Sequence, residues 1–348
     1  MIRILVAEDS ATARALLVEI LGSDPDCQVV AEVGTGTEAV RKTKQLSPDV
    51  VTMDIHMPEM NGLDATKQIM IEAPTPIVIV TGSLSEREVE VSMHALRAGA
   101  LTVLSKPSGP AAPNFEEAKR QFVATVKAMS QVKVVRHWRP RPAVEAPPAS
   151  APGAHGKVRI LAIAASTGGP GALSRLLSEL PGDFPVPILL VQHMALGFGE
   201  GFVAWLNTAL ALNAKVAENG EPLSPGTVYV APDDRHLGVS ERSTIALSSA
   251  PPLAGFRPSG TFLFQSVAKA FGPSAVAVVL TGMGQDGAEG VRQIREFGGR
   301  VIAQDEETSV VFGMPKAAIA TGSVEDVLPL QAIASRILGL ARGAGGPP

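Results

Sequence analysis

The feature that most constrains the fold of this chain is a repeated alternation of short apolar runs with longer amphipathic stretches. In the first third, five runs rich in β-branched residues are bounded by turn or charged residues, at residues 2–7, 28–33, 50–53, 77–80 and 101–104. Amphipathic stretches such as residues 11–21 and 37–46 lie between them, and a last helix is predicted over residues 115–129. Alternation at this spacing predicts βαβ units around a parallel sheet.

A second alternating series begins near Val158. The predicted strands are residues 159–164, 186–192, 228–230, 275–280 and 300–303, and the predicted helices are residues 171–180, 199–212, 261–271, 288–297 and 330–341. Residues 227–247 are predicted to form a short antiparallel excursion. The fold class is therefore α/β, with two doubly wound domains: an N-terminal (βα)5 unit and a C-terminal, mostly parallel α/β unit. Ligands of such open sheets bind at the carboxyl ends of the strands.

Between the two series, residues 139–156 are crowded with proline and alanine and show almost no periodicity. This composition favours an extended linker, although a short motif that binds another protein is an alternative. A length of 348 residues suits two domains. The predicted boundaries are residues 1–132 for the first domain, 133–156 for the linker and 157–348 for the second domain.

Composition excludes several classes of protein. The net charge is -4, which argues against a nucleic-acid-binding protein with a basic patch. The only cysteine, Cys27, excludes a disulfide framework and favours a reducing compartment. The first residues lack the layout of a signal peptide, and no apolar run approaches the ~20 residues that span a bilayer. We therefore expect a cytoplasmic protein without membrane insertion.

Acidic residues follow two strands of the first predicted sheet. Glu8 and Asp9 follow the first strand, and Asp54 follows the third. Neighbouring parallel strands would bring these carboxylates together, and their mutual repulsion calls for a hard cation such as Mg²⁺. Thr81 and Lys106, at the ends of the fourth and fifth strands, complete the set. Taken singly, each of these acidic residues is more often a helix cap or a loop charge.

The first domain resembles the response-regulator receiver family. The resemblance rests on residues 53–62 (Met-Asp-Ile-His-Met-Pro-Glu-Met-Asn-Gly) and on Ala-Gly-Ala at 98–100 leading to Ser-Lys-Pro at 105–107. It implies that Asp54 is the phosphoacceptor, with a histidine kinase as phosphodonor. It further implies that Mg²⁺ is bound by Glu8, Asp9, Asp54 and the backbone carbonyl of His56, and that Thr81 and Lys106 sense the phosphoryl group.

Three polar residues end strands of the second predicted sheet. Ser166 lies on a glycine-rich strand-to-helix turn, His193 ends the next strand, and Asp286 follows the strand at residues 275–280. Such a turn exposes a hydroxyl at the sheet edge and offers backbone N–H groups to an oxyanion. The alternatives are a phosphate loop or helix cap at Ser166, a structural histidine, and a helix N-cap at Asp286. Serine, histidine and aspartate at three strand ends are also the components of a catalytic triad.

Residues 157–342 resemble the protein-glutamate methylesterases of bacterial chemotaxis. The matching motifs are Ser-Thr-Gly-Gly-Pro at 166–170, Gln-His-Met at 192–194, Ala-Pro at 231–232 with His236, Phe-Arg-Pro-Ser at 256–259, Met-Gly-Gln-Asp-Gly-Ala-Glu-Gly at 283–290, and Gly-Met-Pro at 313–315 with Ala318. The resemblance implies Ser166 as nucleophile, His193 as base and then acid, Asp286 as its orienting partner, and oxyanion-binding N–H groups near Thr167 and Met283.

The same resemblance implies a function. The substrate would be a γ-glutamyl methyl ester on the cytoplasmic helices of a chemoreceptor, the products glutamate and methanol, and glutamine deamidation a parallel reaction. The esterase site would need no cofactor. We expect the resting receiver to inhibit the esterase and phosphorylation to relieve the inhibition. The alternatives are a catalytically silent adaptor that joins a receiver to a receptor-binding domain, and a nucleotide-binding protein.

Overall fold

A computed structural model of the chain describes residues 1–82, 86–112, 115–132, 134 and 157–342. The chain divides into two compact units, Met1–Pro140 and Arg141–Pro348. The predicted linker, residues 133–156, lies outside the described residues except for residue 134. Within the described part of the chain, no helix combines the length and the apolar character that crossing a membrane requires.

The first unit is a (βα)5 fold. Its elements are β1 (Ile2–Ala7), α1 (Ala11–Gly22), β2 (Cys27–Val33), α2 (Gly36–Leu46), β3 (Val50–Met53), α3 (Gly62–Glu72), β4 (Ile77–Thr81), α4 (Glu86–Arg97), β5 (Thr102–Ser105) and α5 (Phe115–Ser130). The five strands form one sheet in the order β2-β1-β3-β4-β5, and every neighbouring pair is parallel.

Burial explains why the strands of this unit could be predicted from the sequence. Parallel strands covered by helices on both faces appear as nearly continuous apolar runs. Every residue of Ile77–Thr81 and of Val50–Met53 is buried. The strand order makes β3 the neighbour of β1, with Ala7 opposite Met53. The residues that follow these two strands therefore meet at one edge of the sheet.

The second unit contains a larger sheet. Its elements are β6 (Ile160–Ala165), α6 (Gly169–Ser178), β7 (Ile188–Gln192), α7 (Gly199–Asn207), β8 (Asn213–Val216), β9 (Thr227–Val230), β10 (His236–Val239), β11 (Ile245–Ser248), α8 (Gly260–Phe271), β12 (Ala275–Val279), α9 (Ala288–Glu296), β13 (Arg300–Gln304), α10 (Met314–Ala320), β14 (Asp326–Leu328) and α11 (Leu330–Arg342). Seven strands pair in the order β14-β13-β12-β6-β7-β9-β8, all of them parallel, and β10 and β11 form a separate antiparallel hairpin.

The predicted antiparallel excursion at residues 227–247 was wrong in its first part. Strand β9 lies inside the parallel sheet, between β7 and β8, and all four of its residues are buried. The later strands of this stretch, β10 and β11, are antiparallel as predicted. The two edge strands, β8 and β14, and helix α10 were not predicted, because they are short and the edge strands carry few buried residues.

Strand β6 lies at the centre of this sheet, between β12 and β7. Ala165, its last residue, pairs with Gln192, the last residue of β7, and Ala164 pairs with Val279, the last residue of β12. The carboxyl ends of all three strands therefore lie side by side. This is the edge at which ligands of open parallel sheets bind.

Candidate functional sites

Ser166 lies directly after β6, on a tight turn into α6. Its N–H donates to the carbonyl oxygen of Thr281 (3.0 Å), and its own carbonyl accepts from the N–H of Gly169 (2.8 Å). Gly168 has a φ of 76°, in the left-handed region that glycine adopts without strain. A Cβ on Gly168 would also lie 2.4 Å from the Cβ of Val310. The glycine therefore lets the chain turn within one residue and starts α6 two residues earlier than predicted.

His193 and Asp286 form a hydrogen-bonded pair beside this turn. Nε2 of His193 lies 2.9 Å from Oδ2 of Asp286, and the histidine side chain is only 9% exposed. An ionised carboxylate accepts hydrogen bonds only, so Nε2 carries the proton and Nδ1 is the acceptor nitrogen of the neutral ring. Nδ1 is buried and has no hydrogen-bond partner among the described residues. Nδ1 is therefore the nitrogen that remains available for proton transfer.

The carboxylate of Asp286 is held by a shell of donors, three at the start of α8 and the N–H of Gly287. Oδ1 accepts from the hydroxyl of Ser259 (2.7 Å), from the N–H of Thr261 (3.0 Å) and from the N–H of Gly287 (2.9 Å), and Oδ2 accepts from the N–H of Gly260 (2.6 Å). Helix N-termini stabilise negative charge. Asp286 therefore does not act as the side-chain cap of α9, the helix that follows it in sequence, but is bound at the amino end of α8.

This shell decides the charge of Asp286. Burial by itself raises the pKa of the carboxyl group, but the hydrogen bond and charge of His193, followed by the bonds from Ser259 and Thr261, outweigh it and lower the pKa to about 2. Asp286 is therefore ionised at neutral pH although it is buried. Ser259 lies in the sequence motif at 256–259, which by itself predicts no role for it; a serine directly before a helical pattern is the signal that could have pointed to it, because Ser259 is the N-cap of α8.

Two side chains tie the three strand-end loops together. The amide Nε2 of Gln192 donates to the carbonyl oxygens of Ser166 and His193, each at 2.8 Å. The hydroxyl of Thr281 donates to the carbonyl oxygen of Thr167 at 2.9 Å. Gly282 lies so close to the turn after β6 that a Cβ there would be 2.7 Å from the Cβ of Ser166. The loops that carry the serine, the histidine and the aspartate are therefore packed as one body.

The two residues predicted near an oxyanion lie on these packed loops. Thr167 follows Ser166, and Met283 follows Gly282, which contacts Ser166. Neither backbone N–H donates a hydrogen bond to another residue in the part of the chain that the structure describes. An aromatic residue with no predicted role lies at the same place: the ring of Phe256 stacks on the ring of His193.

The acidic residues of the first unit also come together. Ligand oxygens of Glu8, Asp9 and Asp54 all lie within 4.8 Å of one another. Glu8 and Asp54 are buried, and Asp9 is exposed. The ammonium of Lys106 lies 2.8 Å from Oε2 of Glu8 and 3.1 Å from Oδ1 of Asp54. This confirms the predicted meeting of the ends of β1, β3 and β5 at one edge.

The electrostatics of this cluster are those of a cation site. Burial raises the pKa of Glu8 and of Asp54, and the nearby Lys106 offsets this only in part. Burial by itself lowers the pKa of Lys106, but the hydrogen bond to Glu8 and the charge of Asp54 outweigh it, so the pKa is raised. Both carboxylate oxygens of Glu8 contact the ammonium of Lys106, at 3.0 Å (Oε1) and 2.8 Å (Oε2), so the three carboxylates of the cluster share this one ammonium. A cluster with this excess of carboxylate oxygens fits Mg²⁺, which takes oxygen ligands.

The remaining predicted residues of the first unit lie around the cluster. Thr81 is the last residue of β4 and is buried, and its carbonyl oxygen accepts from the N–H of Lys106 at 2.8 Å. His56 lies two residues after Asp54, with an exposed side chain. Gly62 approaches the backbone of Asp54 so closely that a Cβ would be 1.9 Å from the carbonyl oxygen of Asp54. The glycine that ends the motif at 53–62 thus lets this loop fold back onto the backbone of Asp54.

Comparison with known protein families gives two matches, one in each unit of the chain. Residues 161–337 match the CheB methylesterase family, and residues 4–112 match the response regulator receiver domain. The chain is 55% identical over 348 residues, 99% of this chain and 98% of the relative, to the protein-glutamate methylesterase/protein-glutamine glutaminase 4 of Myxococcus xanthus. A second relative of that name, number 3 of Anaeromyxobacter dehalogenans, is 54% identical over 97% of this chain and 98% of its own.

A solved structure is similar to the second unit. It is the CheB methylesterase catalytic domain of Thermotoga maritima, with a TM-score of 0.51 and 39% sequence identity. The match covers 53% of this chain and 98% of that domain.

Proposed function

We propose how the residues of this chain act on the basis that it belongs to the CheB methylesterase family and carries a response regulator receiver domain at residues 4–112. It is a protein-glutamate methylesterase of chemotaxis, controlled by phosphorylation, that hydrolyses γ-glutamyl methyl esters of chemoreceptors to glutamate and methanol. The observation that carries the catalytic assignment is the hydrogen bond between His193 and Asp286 beside Ser166, at three adjacent strand ends.

In the acylation step, the hydroxyl oxygen of Ser166 attacks the ester carbonyl carbon. Nδ1 of His193 takes the hydroxyl proton, because Nε2 is held by Asp286. The ionised carboxylate stabilises the imidazolium that forms. The methoxy group then leaves as methanol, taking the proton from Nδ1, and an ester between Ser166 and the glutamyl side chain remains.

In the deacylation step, water attacks the same carbonyl carbon and His193 takes its proton. The bond to the oxygen of Ser166 breaks, the proton returns to that oxygen, and glutamate is released. We assign the oxyanion-binding role in both steps to the N–H groups of Thr167 and Met283, which have no hydrogen-bond partner in the described part of the chain. The reaction proposed here needs no cofactor at the esterase site.

Deamidation of receptor glutamine follows the same two steps. Ammonia leaves in place of methanol, and the acyl-enzyme is identical. The names of both relatives include protein-glutamine glutaminase. The same nucleophile and the same base serve both reactions, because only the leaving group differs. The alternative of a catalytically silent adaptor is disfavoured because Ser166, His193 and Asp286 are all present, with a carboxylate pKa of about 2 that keeps Asp286 charged.

We further propose that residues 1–132 form the receiver, residues 133–156 the linker and residues 157–348 the catalytic domain. Asp54 is the phosphoacceptor and takes the phosphoryl group from a histidine kinase. The carboxylates of Glu8, Asp9 and Asp54 and the backbone carbonyl of His56 would hold Mg²⁺, and the ion would neutralise charge on the transferring group. The ammonium of Lys106 already lies 3.1 Å from Oδ1 of Asp54. It and the hydroxyl of Thr81 donate hydrogen bonds to the added phosphoryl oxygens.

Methanol release from methylated receptor membranes, with and without a small-molecule phosphodonor, tests this function. The wild-type chain releases methanol, and Ser166→Ala lowers kcat by up to ~10⁶-fold, as the loss of a triad nucleophile does. Ser178→Ala is the matched control, since its hydroxyl only donates to the carbonyl of Arg175 within α6. More than a trace of activity in Ser166→Ala would contradict the mechanism.

A further inference from the structure

Phe256 covers one face of the proposed base. The centroids of the Phe256 and His193 rings lie 4.2 Å apart, and the ring planes differ by 8°. The bond to Asp286 fixes one nitrogen of the imidazole but leaves the ring able to rock about that bond. A ring stacked on its face removes this freedom, because tilting the imidazole would separate the two surfaces.

Phe256 is itself held rigidly. It ends a two-residue turn in which Leu253 and Phe256 exchange both backbone hydrogen bonds, at 3.0 and 2.9 Å. The two central residues, Ala254 and Gly255, both have positive φ, 49° and 87°, which is the geometry of the tightest hairpin turns. Alanine rarely adopts a positive φ, so the turn is held in a backbone conformation that Ala254 by itself disfavours.

The next residue anchors the other side of the turn. The guanidinium of Arg257 donates twice to Oδ1 of Asp234, at 2.8 and 2.6 Å, and also reaches the carbonyl oxygens of Ser249 and Ala250. A planar guanidinium with several donors fixes direction as well as distance. The position of Phe256 is therefore set from both sides.

The same segment continues into the shell around Asp286. Three residues after Phe256, Ser259 begins α8, and Ser259, Gly260 and Thr261 bind the carboxylate. One short stretch of chain, residues 253–261, thus determines both the plane of the His193 ring and the place of its acidic partner.

We propose that Phe256 is a positioning residue for the esterase: it fixes the plane of the His193 ring so that Nδ1 is presented to the hydroxyl of Ser166. The proposal rests on the proposed function, in which Nδ1 takes the proton of Ser166. Phe256 acts through His193 and makes no bond in the reaction. Stacking of this kind shifts an equilibrium between ring orientations by about 3- to 10-fold.

The test compares Phe256→Leu and Phe256→Tyr in the full-length chain, with kcat and KM for methanol release measured on methylated receptor membranes. Phe256→Leu keeps apolar volume but loses the flat face, and we expect kcat to fall about 3- to 10-fold with KM within about 2-fold of wild type. Phe256→Tyr keeps the aromatic ring, and we expect its kcat to equal that of the wild type. Phe297→Leu is the matched control, because Phe297 follows α9 at the opposite edge of the sheet, with 45% exposure.

A second readout reports the stack without catalysis. In the full-length protein with labelled histidine, the ring current of Phe256 shields the imidazole protons of His193. Their resonances, assigned by comparison with His193→Gln, move downfield in Phe256→Leu and stay in place in Phe256→Tyr and Phe297→Leu.

The outcomes separate this proposal from the proposed function. If Phe256→Leu keeps the wild-type kcat, or if only KM rises, Phe256 is not a positioning residue, and in the second case it contacts substrate. If the His193 resonances do not move, the stack is absent in solution. Neither of these results contradicts the esterase mechanism if Ser166→Ala is inactive. An active Ser166→Ala contradicts the mechanism itself, and with it the proposal for Phe256.

Discussion

Replacing Asp286 with asparagine has consequences that the hydrogen-bond geometry defines in detail. The carboxylate accepts from five donors, three on Oδ1 and two on Oδ2. An amide offers one acceptor oxygen and one donor group. The less costly placement puts the NH₂ at the Oδ2 position, where it faces the N–H of Gly260 and Nε2 of His193. The histidine then restores a hydrogen bond only by making Nε2 the acceptor.

This change of tautomer removes the base. With Nε2 as acceptor, the ring proton moves to Nδ1, and Nδ1 no longer accepts the proton of Ser166. The corresponding exchange in serine proteases lowers kcat about 10⁴-fold through the wrong tautomer. We expect a loss of the same order in this esterase, with the fold retained.

The same substitution reduces stability by an amount that depends on pH. The pKa of Asp286 is about 2 in the folded chain, against 3.8 for an unperturbed aspartate. At about 1.4 kcal/mol per pH unit, the difference is worth between about 2 and 3 kcal/mol. Because the folded-state pKa is the lower one, this contribution is fully present above about pH 4 and is lost as the pH falls towards 2. The gap in unfolding free energy between wild type and Asp286→Asn should therefore close over that range.

The assay is urea unfolding followed by the fluorescence of Trp205, which is buried in the second unit. Trp138→Phe removes the only other tryptophan and serves as the background for both proteins. Asp326→Asn is the matched control: it breaks an ion pair with Arg336 on edge strand β14 and should leave kcat unchanged. If Asp286→Asn keeps more than about 1% of the wild-type kcat, or if the gap in stability persists at pH 2, the reasoning is refuted.

Two further predictions concern the receiver. A small-molecule phosphodonor with Mg²⁺ should add one phosphoryl group to the wild-type chain and none to Asp54→Asn, as measured by intact mass, because Asp54 is the carboxylate next to Glu8 and Lys106; undiminished labelling of the variant would exclude Asp54 as acceptor. Residues 157–348 alone should release methanol faster than the unphosphorylated full-length chain, by about 5- to 150-fold, and should not respond to the phosphodonor. A fragment no faster than the resting chain would show that the receiver activates or localises the esterase.

Much of the fold was predictable because parallel strands buried on both faces leave a continuous apolar run. Residues 2–7 and 50–53 were predicted with the bounds that the structure has. The polar residues after such runs stand out, which is why Glu8 and Asp54 were expected to meet. The edge strands β8 and β14 were missed for the opposite reason: with one open side they need little apolar character, and charged residues such as Lys215 and Asp326 lie in them.

The contacts that complete the esterase site were not predictable from the chain itself. Ser259 binds Asp286 across 27 residues, and Phe256 reaches His193 from a loop more than 60 residues away. Both contacts depend on the path of residues 253–261 over the sheet edge, and no local periodicity records that path. The resemblance of Phe-Arg-Pro-Ser at 256–259 to a family motif marked the segment without saying what it does.

The hydrogen bonds of Gln192 and Thr281 bear on how such an enzyme is switched. Together they join the backbone at Ser166, His193 and Thr167 through three bonds. Leaving a buried group unpaired costs about 1–3 kcal/mol each, so disassembling the three loops would cost several kcal/mol. A regulatory signal typically supplies about 1–3 kcal/mol. We therefore expect the esterase site to keep its geometry whatever the state of the receiver, so that phosphorylation would change the access of substrate to the site and not the site itself.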